Sequence, residues 1–332
     1  MSMISIGPYQ LKNTLFLAPM VGVSDTPFRE ICSQQGAGLT IGEMLTSNSE
    51  LWHNERNRLK QIKPRIAGAQ VIQIAGSDPM LMAAAARESA SRGAYAIDIN
   101  MGCPAKKVLR KAAGSALLKD TRLVSRILRQ VVSSVEIPVT LKIRTGWCRA
   151  SRNGTEVARI AEDCGIALLS VHGRTRECRF KGAAEYETIA AIKQAVTIPV
   201  IANGDIDSPE KAAQVLTQTQ ADGLMIGRAA QGRPWIFREI QHFLDTGAAL
   251  APPSPHSKLK IICAHLCKLH DFYGDVKGVW YSRKHVARYV KGEVGCREFL
   301  MQFNAAATPA AQLNQCREYF DYLAGNTGVL AA

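Results

Sequence analysis

Short apolar runs recur along the first two thirds of the chain, each followed by a polar loop and a stretch of helical periodicity. They cover 15–17, 39–41, 69–74, 96–99, 139–143, 168–171, 200–202 and 223–226. Runs of this length without alternation suit strands buried on both faces, which parallel sheets require. The helical stretches between them are punctuated. Ser77-Asp78-Pro79 offers a cap and a first-turn proline, Gly93 a stop, and Asp120 opens 121–134. Gly165 closes the helix containing Ala158 to Cys164, and Ser208-Pro209 opens another. Strand–helix alternation through eight repeats predicts an α/β fold closed into a (β/α)₈ TIM barrel. An open doubly wound sheet would carry a Gly-rich turn after its first strand, where this chain reads Ala18-Pro19-Met20-Val21-Gly22. Ahead of the first run, Ile4-Ser5-Ile6 and Tyr9-Gln10-Leu11 flank Gly7-Pro8 and predict a short hairpin.

The pattern changes at 246–256, where Thr246-Gly247-Ala248-Ala249-Leu250-Ala251-Pro252-Pro253-Ser254-Pro255 reads as a linker. Beyond it, helices are predicted near 257–272, 276–291, 296–304 and 309–324, with no strand pattern. The expected organisation is a barrel over 1–245, a linker over 246–256 and a small all-α helical-bundle domain over 257–332.

Composition narrows the setting. The net charge is +13, with the excess spread along the chain. Such a surface suits a polyanion such as nucleic acid, and equally a solvated basic face. No apolar run approaches the roughly 18 residues that span a membrane. Met1 to Tyr9 lacks a basic segment followed by an apolar stretch, so a secretory signal is not expected. Nine cysteines without a framework fit a reducing compartment, and the expected location is cytoplasmic. Cys263 and Cys267, with His265 and His270 nearby, make at most half a metal site. No second pair completes it, so no metal is expected.

In a barrel of this kind the chemistry sits at the C-terminal ends of the strands. In chain order those positions hold Pro19 and Met20, Glu43 and Met44, Gln73, Asn100 to Cys103, Lys142, His172, Asn203-Gly204-Asp205, and Gly227-Arg228. Packing alone does not require this many polar groups at one end. The loops after the last two strands commonly form the fold's phosphate site, and glycine lets backbone N–H groups approach an anion. Pro19, Met20 and Gln73 would then border a cofactor ring, Gln73 both donating and accepting at its edge. Lys142 offers a cation to the electron-rich end of a reduced flavin, or alternatively a Schiff-base amine. Cys103 lies on a loop over the mouth, and a thiol is ordinarily protonated near neutrality, so it can act as an acid. Lys106, Lys107, Arg110 and Lys111 follow it closely and suit the phosphates of a large substrate. Lys277, Tyr281, Lys284, Arg288 and Lys291 share one helix face, and no Asp or Glu occurs from Val276 to Gly292. Intrahelical pairing therefore does not explain these cations, and a polyanion contact is favoured over a solvated face.

Taken together, Ala18-Pro19-Met20, Asp98-Ile99-Asn100-Met101-Gly102-Cys103-Pro104, Leu141-Lys142-Ile143-Arg144, His172-Gly173-Arg174-Thr175, Ile201-Ala202-Asn203-Gly204-Asp205 and Met225-Ile226-Gly227-Arg228 resemble the tRNA-dihydrouridine synthases. Gly-Cys-Pro followed by Lys106-Lys107, and Gly232-Arg233-Pro234-Trp235, are most like the bacterial B branch. The resemblance is strong over residues 4–245 and weaker in the tail, with departures at Val21, Val23 and Leu109.

The resemblance implies an FMN-dependent oxidoreductase, driven by NADPH, that reduces the C5=C6 bond of a D-loop uridine in tRNA to dihydrouridine. The B branch points to the uridine at D-loop position 17. By the same resemblance, Pro19, Met20, Val21, Gln73, Lys142, His172, Asn203, Gly204, Asp205, Gly227 and Arg228 bind FMN, and Cys103 is the proton donor. Asn100 and Arg174 lie near the uracil, and the charge pattern adds Lys106, Lys107, Lys284 and Arg288 as the residues expected to hold the tRNA. The expected partner is the D-loop and elbow of tRNA, bound by a monomer away from any membrane. The alternatives are a flavin barrel acting on a free small pyrimidine, an aldolase-type lyase through Lys142, and a non-catalytic tRNA-binding protein.

Overall fold

A computed structural model describes residues 4–65 and 70–327. Its parallel strands are Leu15–Leu17, Leu39–Thr40, Leu45–Thr46, Val71–Ala75, Ala96–Met101, Val139–Arg144, Leu168–His172, Val200–Asn203 and Gly223–Ile226. Each neighbouring pair is parallel, and the last strand returns to pair with the first, Ile226 opposite Leu17. The barrel closes through a second strand that comes in two pieces. Leu39–Thr40 pairs with the first strand, Leu45–Thr46 with Val71–Ala75, and Ile41 bridges Val71. The eightfold repeat in the sequence is thus an eightfold circuit, and the break at Gly42-Glu43-Met44 is the feature the apolar pattern did not carry. There Glu43 lines a cleft toward the helical tail and Met44 lines the barrel mouth. The predicted start of the third run, Ala69, lies outside the described residues.

Side chains alternate across the sheet as the pleat demands. Leu15 and Leu17 join the large core between strands and helices. Phe16 and Ala18 point the other way, into the barrel, with Ile41, Val71, Ala96, Ile201 and Met225. The predicted hairpin, Ser5–Ile6 paired with Tyr9–Gln10, contributes Ile4, Ile6 and Leu11 to this inner cluster. It seals the barrel beneath the strand starts, which leaves the C-terminal end open for a site.

The predicted caps form. Asp78 accepts from Leu81 N–H and opens Pro79–Ser91, and Asp120 accepts from Leu123 N–H and opens Thr121–Val132. Ser208 accepts from Lys211 N–H and opens Pro209–Thr219. Such caps satisfy N–H groups that a helix start leaves without partners.

The helix Ile236–Thr246 ends on Gly247, irregular backbone follows, and Ser254 caps the next helix at Pro255. The tail helices span 255–289, interrupted at Gly274, then Cys296–Ala305 and Pro309–Thr327. Gly274, with φ 74 and ψ 169, divides the first segment into the two helices expected from sequence. The tail has its own core around Ile262, Leu266, Val286, Phe299, Phe303 and Phe320, and Trp235 of the barrel joins it. The tail packs against the helix Thr26–Gln34 through Phe28, and a Lys268–Glu30 ion pair of 2.5 Å closes the contact. Among the described residues no helix is long and apolar enough to cross a membrane.

The loop leading into Ile236–Thr246 passes so close to the tail that a Cβ on Gly232 would lie 2.3 Å from the Arg288 carbonyl oxygen, at a φ of +77. Gly232→Ala is therefore expected to lower stability by at least about 1–3 kcal/mol from backbone strain alone. Urea unfolding checks this, and an unchanged midpoint would show that the two parts are not held this tightly.

Candidate active site

The polar groups expected beyond the strands are the last residues of the strands themselves. Asn100 pairs in register with Lys142, and His172 with Asn203, so the four sit side by side around the rim. Above them opens a cavity of about 1550 Å³ that also reaches Pro19, Met20, Val21, Gln73, Cys103, Gly204, Asp205, Gly227 and Arg228. Nine lysines and arginines line it against three aspartates, so its preferred occupant is an anion.

On one side a chain of hydrogen bonds leads from the barrel interior to the Cys103 loop. Asp98, fully buried, accepts from Thr140 Oγ1 at 2.7 Å and from Gln73 Nε2 at 2.6 Å. This turns Gln73 Oε1 toward Asn100 Nδ2, at 2.9 Å. Asn100 Oδ1 in turn accepts the N–H groups of Gly102 and Cys103, at 3.2 and 3.0 Å. The Cys103 carbonyl is held from the other side by Ser115 Oγ at 2.9 Å. Burial raises the pKa of Asp98, opposed by the hydrogen bonds from Gln73 and Thr140 and by Lys142.

The strands that follow bring cationic groups beside this chain of hydrogen bonds. Lys142 donates to Asn203 Oδ1 at 3.1 Å, and Asn203 Nδ2 to the Met225 carbonyl at 2.7 Å. Burial, then the neighbouring Arg144, lowers Lys142 to about 8. Burial, then Lys142 and the nearby guanidinium groups, pushes His172 well below its ordinary range, so its ring is neutral at pH 7. Asp205 has φ 48, and its carboxylate accepts from Arg174, Arg228 and the Ala184 N–H. Burial would raise Asp205, but these donors together hold it below the usual carboxylate range. Gly204, at φ 128, could not carry a side chain, because a Cβ would meet Ala184 Cβ at 2.8 Å. A Cβ on Gly227 would find nothing nearer than 3.6 Å, so there the backbone faces open space. The mouth thus has an apolar wall at Ala18-Pro19-Met20, an amide edge at Gln73 and Asn100, and glycine-rich loops with cations at the end of the last two strands.

The comparisons with known proteins agree with this geometry. The family model described as "Dihydrouridine synthase (Dus)" matches residues 16–324. The chain belongs to the dihydrouridine synthase family. It is 55% identical over 323 residues to tRNA-dihydrouridine synthase B of Shewanella oneidensis, covering 97% of this chain and 100% of the relative. It is 57% identical over 320 residues to the protein of that name from Pseudomonas syringae pv. tomato, covering 96% and 95%. The Escherichia coli K12 protein of that name is 55% identical over 320 residues, covering 96% and 99%. Among solved structures, a 2-naphthoyl-CoA reductase complex superposes with a TM-score of 0.58 at 12% identity, covering 73% of this chain and 52% of that one. Histamine dehydrogenase from Rhizobium sp. 4-9 gives 0.56 at 16%, covering 80% and 50%. These two likenesses concern the fold.

Within this dihydrouridine synthase barrel, most residues singled out from sequence converge on the mouth, but some take other places. Arg174 is 2% exposed and sits beneath the rim, bound to Asp205 at 2.5 Å and to the Gly182 carbonyl at 2.5 Å. It braces the loop after the seventh strand. Lys106 and Lys107 are exposed at the start of a short helix, Lys106–Leu109, and both line the cavity. Lys284 donates to the Gly22 carbonyl at 2.5 Å, and Lys277 pairs with Glu55 at 2.6 Å. Part of the basic helix face is therefore taken up in docking to the barrel, while Arg288 is exposed. His265 and His270 do not join Cys263 and Cys267, since His270 bonds Gln312 at 2.9 Å and Cys267 is exposed. Sequence reasoning missed Arg144, which donates to the carbonyls of Gly102, Thr175 and Arg179 and ties three loops together. It also missed Phe180, 54% exposed, with the Arg144 and Arg228 guanidinium groups 5.3 and 5.5 Å from its ring centre. Arg144 was visible as a strand-end cation, whereas nothing around Phe180 marked it.

Replacing Asp98 by Asn keeps its shape but places a donor against Thr140 or Gln73. Asp98→Asn is expected to cost about 1–3 kcal/mol through the broken buried pair. It should also make the Cys103 thiol react faster with an alkylating reagent as its loop loosens. Unchanged stability and unchanged alkylation would show that the chain does not hold that loop.

Proposed function

We propose that this protein is a tRNA-dihydrouridine synthase that binds FMN in the barrel mouth, takes electrons from NADPH and reduces a D-loop uridine, working as a monomer in the cytoplasm. The observation that carries the reading is the gathering of Cys103, Lys142, His172 and the glycine-rich loops around one cavity of about 1550 Å³. The relatives' shared name supports the substrate.

The residues present fit a flavin mononucleotide. Gly204, Asp205, Gly227 and Arg228 would hold its phosphate, and the Pro19-Met20-Val21 wall one side of its ring. Gln73 has unused amide valences for the ring edge, and Lys142 places a cation beside it. When bound, FMN supplies the hydride for C6 of the uracil. The C5=C6 bond is conjugated to the C4 carbonyl, so the charge left by hydride addition resides on the substrate as an enolate. Cys103 gives its proton to C5. Asn100, which positions Cys103 by two hydrogen bonds to its loop, also presents an amide to the base. A neutral His172 is a donor or acceptor without adding charge to a site already rich in cations.

A uridine within folded RNA reaches such a site only when splayed out of its stack. Lys106, Lys107 and Lys111 on the mouth, and Arg288 on the tail, then meet phosphates. A free pyrimidine would need none of these cations, which is why the RNA reading is preferred.

Cys103→Ala is expected to purify yellow and to oxidise NADPH, while dihydrouridine formation falls by roughly 10²–10⁴-fold. Full turnover would remove Cys103 as the acid. Arg288→Glu is expected to weaken tRNA binding and to reduce the salt slope of affinity by about 1. NADPH oxidation by the flavin should be unaffected, and an unaltered tRNA affinity would take the tail helix out of the RNA interface.

A further inference from the structure

Three ionisable side chains meet where the tail seats on the barrel. Asp25 caps the helix Thr26–Gln34, accepting from the Phe28 N–H at 2.9 Å and from the Tyr273 hydroxyl at 3.0 Å. His265 and His285 come from the two helices on either side of Gly274. One ligating atom of each of the three lies within 4.8 Å of the others. Their exposures are 7%, 1% and 5%. The imidazole rings stand 4.7 Å apart at 64°, both against the Phe28 ring.

Nε2 of His265 and Nε2 of His285 are both buried without a hydrogen-bond partner. A lone buried polar atom is costly and uncommon, and two beside a buried carboxylate call for a common explanation. The other nitrogen of His265 is engaged, Nδ1 meeting the Tyr289 hydroxyl at 3.1 Å. An outer hydrogen bond of this kind fixes the orientation of a ligating imidazole. Burial disfavours the imidazolium, and the neutral ring is the ligating form. Arg29 beside Asp25, and Lys268 and Lys284 beside the histidines, oppose a cation by charge alone; Glu30 pairs with Lys268 and Glu43 faces Lys284, so capture rests on the ligating atoms themselves. Two nitrogens and one carboxylate in such surroundings suit a borderline transition metal rather than calcium or magnesium, which need oxygen cages. Asp25 also lines a cleft of about 230 Å³ between the barrel and the tail, so the carboxylate corner of the cluster is reached from solvent.

We propose that Asp25, His265 and His285 bind one divalent ion of the zinc class, with a water as further ligand, and that the ion clamps the helical tail to the barrel. Tetrahedral zinc with bonds of about 2.0–2.1 Å sets its ligands roughly 3.3 Å apart. Binding therefore draws the three side chains inward from separations of up to 4.8 Å and tightens three helices on one another.

The test uses the full-length protein, dialysed against a chelator and then titrated with Zn²⁺ alone. One equivalent is expected to survive desalting and to raise the melting temperature. X-ray absorption at the zinc edge is expected to show nitrogen and oxygen ligands with imidazole scattering and no sulfur. Asp25→Asn keeps an acceptor for the helix cap, and His285→Gln keeps a polar group of similar reach. Each is expected to weaken zinc binding by at least about 100-fold, beyond what outer-sphere partners contribute. Failure to retain zinc, sulfur in the ligand shell, or equal retention by the folded variants would each overturn the proposal. The absorption measurement on the unaltered protein decides even if a variant does not fold.

Discussion

The loop that carries Cys103 hangs on a directional chain of hydrogen bonds that begins at a carboxylate inside the barrel. An ionised Asp98 can only accept, so Gln73 turns its amide nitrogen inward and its oxygen toward Asn100. Asn100 must then turn its own oxygen toward the loop N–H groups. Each amide is left with one orientation, and the loop inherits it. Such a fully connected network is rigid because every alternative leaves a buried polar atom unpaired. In the proposed reaction the Cys103 proton would have to meet a carbon atom at one angle, and this chain transfers the stiffness of the barrel to its loop.

The next strand ends around the rim work by charge. Lys142, Arg144 and His172 are buried close together, and burial with a cationic neighbour lowers the proton affinity of each. A protein gains nothing in stability from burying like charges. Their concentration at one end of a sealed barrel makes sense when an anionic group completes the set. Asp205 moderates the cost locally, holding Arg174 beneath the rim and Arg228 above it. This ion pair also explains why Arg174, adjacent in sequence to rim residues, is a brace rather than a lining residue.

Much of this was legible in the chain because strand ends are local. A polar residue ending an apolar run marks the rim wherever the run lies, so Gln73, Asn100, Lys142, His172 and Asn203 stand out without knowing which strand neighbours which. The caps at Asp78, Asp120 and Ser208 were legible for the same reason. The break in the second strand was not, since Gly42-Glu43-Met44 differs from a strand end only through contacts with the tail and the mouth. Nor was the histidine cluster legible. His265 sits near Cys263 and Cys267 in sequence, but the helix turns it toward Asp25, 240 residues earlier in the chain. A ligand set drawn from three helices has no spacing to read.

The basic helix face shows the same limit with a functional consequence. Its periodicity, with no intrahelical acid, left the cations seeking partners, and a polyanion was the natural choice. Glu55 and the Gly22 carbonyl instead take Lys277 and Lys284. Those two cations still bear on RNA recognition, however. The cleft they line shares Arg56 and Lys60 with the barrel mouth, so the tail's surface and the site's surface meet along one edge. A substrate that must insert one base while its backbone is gripped elsewhere needs a fixed distance between the two grips. In the proposed function, cations that tie tail to barrel would supply that distance, and those left exposed, Arg288 among them, would supply the grip.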